Sequence, residues 1–347
     1  MNTLLLAFFT ALGIVLFSTP SLIKVAKLKN LFDDPEEFRK HHKHKTPTMG
    51  GIMIYAATLF SWSLWFPTHT IIIYNFIIAT SLVLFFVGVK DDIFGTAAIK
   101  KLIAHLLVAM ILVLMANVRI CSLHGILGVN EIPEWASIFL SIFTIIVIVN
   151  AFNLIDGVDG LAGSIGFIAA VSFGTWFHMA GDNTMAVLAI SLAGALLGFL
   201  YFNFSPAQIF MGDSGSLVIG MFFAVMSIRL IEFDQARLVT PLSQISKPVF
   251  AIAVLIFPLF DTLRVFIIRA LKGISPFTAD RNHLHHRLLD LGLNHKQTVF
   301  ALAAVNILII GLAVVTKSLG ANASFSIVML CALLLFIIPF FIKIKAK

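Results

Sequence analysis

Carboxylates and amides stand in short clusters at the ends of long uncharged stretches, where they could bind a metal ion and a phosphorylated ligand. The clearest cluster runs from Asn150 to Gly163 and reads Asn-Ala-Phe-Asn-Leu-Ile-Asp-Gly-Val-Asp-Gly-Leu-Ala-Gly. Charged groups are costly at hydrocarbon depth and are usually retained there for function. Because this cluster lies where one apolar run ends and the next begins, we interpret it as the floor of an active site at a membrane face.

Other polar clusters are expected on the same side of the membrane, at residues 39–51, 88–95, 203–216 and 280–287. Each alone is compatible with a helix cap or a tight turn, but carboxylates gathered on one face would repel one another unless a cation joined them. Oxygen ligands without a thiolate favour Mg²⁺ or Mn²⁺, which take one or two carboxylates together with substrate phosphates. With basic and histidine-rich clusters nearby, metal-assisted phosphoryl-type transfer is indicated. The carboxylates are Asp91, Asp92, Asp156, Asp159 and Asp213.

The composition predicts an all-α, polytopic integral membrane protein. Apolar residues make up 59% of the chain and charged residues 12%, about half the charged fraction of soluble domains. Apolar runs of about 20 residues, enough to span the hydrocarbon core as a helix, recur from end to end. We predict eleven transmembrane helices in one domain, residues 1–347. The spans are 3–23, 48–67, 70–89, 101–118, 136–155, 161–180, 184–204, 215–233, 247–268, 297–317 and 323–342.

The distribution of basic residues predicts the orientation. With the N-terminus outside and the C-terminus cytoplasmic, most of the 24 Lys and Arg residues fall on the cytoplasmic side. The net charge of +7 is then explained by membrane topology, and no nucleic-acid partner is expected. The two cysteines support neither a disulfide nor a metal site. The cytoplasmic loops expected to carry the active site are 24–47, 90–100, 156–160, 205–214 and 269–296.

Five ordered motifs resemble those of the polyprenyl-phosphate N-acetylhexosamine-1-phosphate transferases, which are of the glycosyltransferase family 4 type. They are Pro47 to Gly51, Asp91-Asp92, Asn150 to Gly163, Asn203 to Ser216 and His283 to His286. The resemblance covers nearly the whole chain. It implies transfer of a sugar-1-phosphate from a UDP-sugar to undecaprenyl phosphate in the bacterial inner membrane, with release of UMP, which starts the synthesis of a cell-envelope polysaccharide such as lipopolysaccharide O-antigen. It also implies a cytoplasmic active site, contact with membrane lipids and a possible homodimer.

Two branches of the family fit different motifs. The segment 282–287, Asn-His-Leu-His-His-Arg, resembles that of the GlcNAc-1-phosphate transferase branch, which takes UDP-GlcNAc or a related UDP-HexNAc. The sequence of segment 46–51 instead resembles that of the phospho-MurNAc-pentapeptide translocase of peptidoglycan synthesis, which stays as the alternative. An ion-coupled transporter is the alternative of another class, although its carboxylates usually sit near the midplane between repeats.

The resemblance also implies roles for individual residues. Asp213 is the first choice as a ligand of Mg²⁺ (or Mn²⁺), with Asp92 assisting, while Asp91 contacts the acceptor. Since the second pKa of a phosphate monoester is about 6, the acceptor needs orientation more than a base. The spacing of Asp261 and Arg264, rather than the resemblance, places them on one helix face, and we interpret them as a structural pair below a bend at Pro258. The catalytic group is Asp91, Asp92, His283, His285 and His286, and the substrate-binding group is Lys45, Lys101, Asn150, Asn153, Asp156, Asp159, Asn203, Phe210 and Arg281.

Overall fold

The computed structural model describes residues 2–29, 46–66, 73–273 and 283–342, and these ranges are built almost entirely from α-helices. Lys45 and Arg281 lie outside the described residues. The helices are α1 Asn2–Leu28, α2 Gly50–Leu64, α3 Ile73–Phe94, α4 Ala98–Met110, α5 Glu134–Leu154, α6 Leu161–Ala180, α7 Asn183–Asn203, α8 Asp213–Ile231, α9 Lys247–Val254, α10 Ile256–Leu271, α11 Leu284–Asp290, α12 His295–Val315 and α13 Ala321–Phe341.

The helices confirm an all-α, multi-pass membrane protein. In the described ranges, nine helices are long and apolar enough to cross a membrane, with α4 extended by a π-helical turn, Ile111–Met115. The helices α9 and α10 are bent by 77° and make a tenth span if they cross together. Each predicted span contains a helix, but α2 has 15 residues and is only about 22 Å long, short of the roughly 30 Å core. The count of eleven and the orientation stay predictions.

Helix α8 lies at the centre of the bundle, and 94% of its apolar window is buried inside the protein. Glycines let three neighbouring helices approach it at backbone distance. A Cβ at Gly51 of α2 would stand 2.1 Å from the backbone N of Gly215, and one at Gly88 of α3 would stand 2.5 Å from the carbonyl of Asp213. On α8 itself, a Cβ at Gly220 would stand 2.7 Å from the Cα of Val149 in α5. The polar ends of α3 and α5 are thereby brought to the first turn of α8.

The predicted bend occurs, but it lies at Leu255 rather than at Pro258. Because Pro258 has no N–H, it cannot bond the carbonyl four residues earlier, and the helix breaks one turn before the proline. At the break, the side chain of Asn306, which is fully buried in α12, supplies hydrogen bonds to backbone groups that lack a helical partner. Its Nδ2 donates to the carbonyl of Val254 at 3.2 Å, and its Oδ1 accepts from the N–H of Phe257 at 3.4 Å.

Replacing Asn306 by leucine is expected to lower the free energy of unfolding by about 2–4 kcal/mol, since two buried backbone groups would lose their partner. The measurement is thermal unfolding of the purified protein in detergent. Asn322→Leu is the matched control, because Asn322 also bonds two backbone groups but is exposed, so water can replace it. A loss for Asn306→Leu no larger than for the control would contradict this account of the break.

Candidate active site

A carboxylate from α3 caps the first turn of α8. Oδ1 of Asp92 accepts from the backbone N–H of Asp213 at 2.7 Å, and Oδ2 accepts from that of Ser214 at 3.1 Å. The first N–H groups of a helix have no partner within it, and the helix dipole favours a negative charge there. Gly212, at φ +72°, leads into the turn, and a Cβ on it would lie 2.7 Å from both carboxylate oxygens. The end of α3 and the start of α8 are thus held as one unit.

Lys101 joins two further carboxylates in front of this cap. Its Nζ donates to Oδ2 of Asp91 at 3.2 Å and to Oδ2 of Asp213 at 2.9 Å. The other oxygen of Asp213 accepts from Nδ2 of Asn153 at 2.7 Å, and the same amide contacts Oγ of Ser216 at 3.0 Å. Side chains from α3, α4, α5 and α8 therefore converge on Asp213, and we call Asp91, Lys101, Asn153 and Asp213 the acidic centre.

The acidic centre offers oxygen donors that suit a hard cation. Oδ1 of Asp91 is buried and has no hydrogen-bond partner among the described residues. Across those same residues, no group of three or more His, Cys, Asp or Glu side chains is arranged to hold a metal ion by itself. A cation held by one or two carboxylates and completed by substrate phosphates is the usual arrangement for Mg²⁺. The donor set present fits such an ion.

The loop 155–160 lies beside the acidic centre and is fastened by polar side chains. Burial, followed by the neighbouring carboxylates of Asp213 and Asp92, raises the pKa of Asp156 well above its usual range. Asp159 is buried, and its Oδ2 accepts from the N–H of Ala207 at 3.2 Å. Asn203 accepts from the N–H of Gly160 at 2.9 Å and donates to the carbonyl of Ile209 at 2.9 Å. Asp159 and Asn203 thus tie this loop to the 204–212 loop.

The histidine cluster, His283, His285 and His286, contacts the same loop through His285. The rings of His283 and His285 are parallel, with centroids 5.5 Å apart, and those of His285 and His286 are 4.4 Å apart. A Cβ on Gly157 would lie 2.9 Å from Nε2 of His285, so the ring lies directly on this glycine. Burial lowers the pKa of His285 to about 3. This histidine is therefore a neutral hydrogen-bonding group at pH 7, not a cation.

The depressed pKa of His285 has a consequence for stability. Between about pH 6.5 and pH 3 the unfolded chain binds a proton at this residue and the folded chain does not, so stability falls as the pH falls below about 6.5. The expected loss is about 1 kcal/mol for each pH unit. Thermal midpoints in detergent at pH 7.5 and 5 should differ less for His285→Gln than for the wild type. The exposed His178, changed to Gln, is the control and should keep the wild-type slope.

Two other residues predicted to bind substrate lie close to the acidic centre. Asn150 precedes Asn153 by about one turn of α5. It donates to the carbonyl of Ile146 at 2.7 Å, and its Nδ2 lies 3.3 Å from Nδ1 of His105. Phe210 is half-buried, and its backbone bonds Pro47 and Gly50 at 2.7 and 2.8 Å, which joins the 204–212 loop to the start of α2. Their roles in binding remain predictions.

The main partners of Asp261 were not predicted from the sequence. The predicted pair with Arg264 is present at 3.4 Å, but shorter bonds, of 2.8 Å each, join Asp261 to Nδ1 of His283 and to the backbone N–H of Leu284. The capping of α8 by Asp92 was also not predicted. A signal existed for Asp261, since a carboxylate within an apolar span is costly and needs partners. Sequence spacing alone does not identify a partner that lies 22 residues away.

A family model and several relatives of known name match this chain, and they agree on the kind of protein. The model of the family described as Glycosyl transferase family 4 matches residues 74–231, which include the acidic centre. An undecaprenyl-phosphate alpha-N-acetylglucosaminyl 1-phosphate transferase of Escherichia coli (strain K12) is 30% identical over 343 residues, which is 95% of this chain and 88% of the relative.

Two mycobacterial relatives are similar at comparable levels. Both are named decaprenyl-phosphate N-acetylglucosaminephosphotransferase. The protein of Mycobacterium leprae is 33% identical over 86% of this chain and 80% of its own length. The protein of Mycolicibacterium smegmatis is 32% identical over 75% of this chain and 69% of its own length.

Proposed function

This chain belongs to glycosyl transferase family 4, and we propose that it transfers N-acetylglucosamine-1-phosphate from UDP-N-acetylglucosamine to a polyprenyl phosphate. A phosphate oxygen of the lipid bonds to the β-phosphorus of the nucleotide sugar. The bond from that phosphorus to the bridging oxygen breaks, and UMP leaves. The names of the relatives support the reaction, and they include both undecaprenyl and decaprenyl acceptors. Undecaprenyl phosphate is our expectation for this chain.

The observation that carries the proposal is the convergence of four helix ends on Asp213. Lys101 and the neighbouring carboxylates give a site in which charge on a transferring phosphoryl group can be stabilised by positioned groups. Asp213 and Asp91 would hold Mg²⁺ or Mn²⁺, since Asp91 has a buried oxygen without a partner among the described residues. When bound, the ion would neutralise charge on the diphosphate. Both oxygens of Asp92 accept backbone N–H groups, so we assign it the positioning of Asp213 instead.

The remaining groups are assigned by their place around the acidic centre. His285 of the histidine cluster packs on Gly157 of the 155–160 loop, and we propose that the donor diphosphate and its nucleotide bind on this side. Lys101, which already links Asp91 to Asp213, would meet the acceptor phosphate. A phosphate dianion is nucleophilic without a general base at neutral pH, because its second pKa is about 6. The chain's task is therefore to orient the two substrates and to exclude water.

The proposed setting is the cytoplasmic face of a bacterial inner membrane. The lipid acceptor must reach the acidic centre from the bilayer, and the nucleotide sugar must reach it from water. The meeting of the starts of α4 and α8 with the ends of α3 and α5 at the acidic centre supports this setting, because helix ends lie where the bilayer and water adjoin. The N-out orientation and a homodimer are part of the proposal.

A transfer assay tests the proposal. The purified protein in lipid nanodiscs receives UDP-N-acetylglucosamine labelled in the sugar, a polyprenyl phosphate, and either Mg²⁺ or EDTA. Label that enters the organic phase only with the cation supports the proposal. The same protein is also reconstituted in sealed vesicles, where uptake of label without a lipid product would instead indicate an ion-coupled transporter. Competition by a panel of UDP-sugars, UDP-MurNAc-pentapeptide included, separates the two branches of the family.

A further inference from the structure

Asp261 in α10 is a buried carboxylate that faces the histidine cluster rather than the acidic centre. Its side chain is 1% exposed. Oδ2 lies 2.8 Å from Nδ1 of His283, and Oδ1 accepts from the backbone N–H of Leu284 at 2.8 Å. One carboxylate therefore holds both an imidazole and the adjoining backbone of the segment that carries His285 and His286.

The ion pair with Arg264 accounts less well for the buried carboxylate of Asp261 than its bonds to His283 and Leu284 do. Nη2 of Arg264 lies 3.4 Å from Oδ1 of Asp261, longer than the roughly 2.7–2.9 Å of a strong charge-assisted bond. The guanidinium instead lies over the ring of Phe340, 4.1 Å from its centroid. The short bonds of Asp261 are directed to the histidine cluster.

The bond between Asp261 and His283 determines which ring nitrogen is available. An ionised carboxylate can only accept, so Nδ1 of His283 must carry a proton and donate it. Nε2 is then the nitrogen that can meet a ligand. The ring of His283 is parallel to that of His285, which lies against Gly157 in the loop that carries Asp156. An orientation set at Asp261 is thus transmitted by packing to the edge of the acidic centre.

We infer that Asp261 is a positioning residue for the transfer reaction: it fixes the tautomer and orientation of His283, and through this ring the placement of the histidine cluster. Asp261 does not itself contact the substrates. The inference rests on the proposed function, and it deepens it by giving the histidine cluster a fixed geometry before the donor diphosphate binds.

The test is a double-mutant cycle on the full-length protein in nanodiscs. Asp261→Asn keeps the size of the side chain and removes its charge, and His283→Ala removes the ring. Arg264→Gln is the matched control, because it removes the longer bond to the same carboxylate and leaves His283 in place. For each variant, kcat, KM for UDP-N-acetylglucosamine and the thermal midpoint are measured. If Asp261→Asn does not accumulate as folded protein, Asp261→Ser replaces it, since its hydroxyl still offers an acceptor without charge.

The expected result is a kcat about 10- to 100-fold lower for Asp261→Asn, with a smaller change in KM. Arg264→Gln should stay within about threefold of the wild type. In the His283→Ala background, Asp261→Asn should cost no more than about a further twofold, because it acts through the missing ring. A near-normal kcat for Asp261→Asn, a loss that is independent of His283, or an equal loss for Arg264→Gln would overturn the inference alone. A wild-type protein that transfers no label would overturn the proposed function and the inference together.

Discussion

Replacing Asp213 by asparagine is expected to lower kcat/KM for sugar-phosphate transfer by about 10³-fold or more, with the fold retained. Asp213 is the residue that four helix ends share. Its Oδ2 accepts from Lys101 at 2.9 Å and its Oδ1 from Asn153 at 2.7 Å. An asparagine must present its own NH₂ group to one of these donors, and it brings no negative charge to a divalent cation. Both the geometry and the charge of the acidic centre would be lost at once.

The effect of Asp213→Asn on kcat/KM is measured by transfer of labelled sugar over a titration of UDP-N-acetylglucosamine, repeated at several concentrations of Mg²⁺. A second readout is the rise in thermal midpoint that Mg²⁺ and UDP-N-acetylglucosamine together cause in the wild type, which this variant should lack. Asp290→Asn is the control, because Asp290 is an exposed carboxylate at the end of α11. An Asp213→Asn protein with more than a tenth of the wild-type activity would contradict the assignment.

Replacing Asp92 by alanine is expected to lower kcat by about 10²-fold and the free energy of unfolding by about 2–3 kcal/mol. The carboxylate accepts the N–H groups of Asp213 and Ser214, at 2.7 and 3.1 Å, from a helix more than a hundred residues away in the chain. Without it, two partly buried donors lose their partner and the first turn of α8 loosens. Asp213 would then leave its place between Lys101 and Asn153.

Two variants separate the loss of the cap from a general loss of stability. Asp182→Ala removes the carboxylate cap of α7, which accepts from the N–H of Met185 at 3.1 Å at the opposite end of the bundle. It should cost about 1 kcal/mol of stability and leave the activity unchanged. Asp92→Asn keeps one acceptor oxygen and should fall between Asp92→Ala and the wild type. Equal loss of activity in Asp92→Ala and Asp182→Ala would mean that Asp92 acts only on stability.

The sequence allowed the helices to be predicted because membrane spans are encoded by long apolar runs. The predicted span 184–204 corresponds to α7, Asn183–Asn203, and 161–180 corresponds to α6. Prediction was poorer where the backbone departs from a straight helix. The break at Leu255 comes three residues before the proline that causes it, because the missing N–H affects the preceding turn. The partner that replaces this bond, Asn306, belongs to another helix and has no sequence signal of its own.

The candidate site was predictable at the level of its clusters. Polar residues at span ends are brought close together if the ends lie on one face. Asp91 and Asp213 do meet at Lys101, and Asn153 bonds Asp213. The individual contacts were not predictable. Adjacent carboxylates such as Asp91 and Asp92 look alike in the sequence, yet one keeps a buried oxygen without a hydrogen-bond partner among the described residues and the other caps α8. Only the rotation of α3 against α8 distinguishes them.

Whether the acidic centre acts on the diphosphate is tested with UDP-N-acetylglucosamine labelled with ³²P at the phosphate next to the sugar. A site that acts on the diphosphate must move this phosphorus together with the sugar. We predict that the label enters the lipid phase with one UMP released for each labelled lipid formed, and that the label stays in the aqueous phase with Asp213→Asn. Sugar that reaches the lipid without the labelled phosphorus, with UDP as the product, would show that the site does not transfer the sugar phosphate.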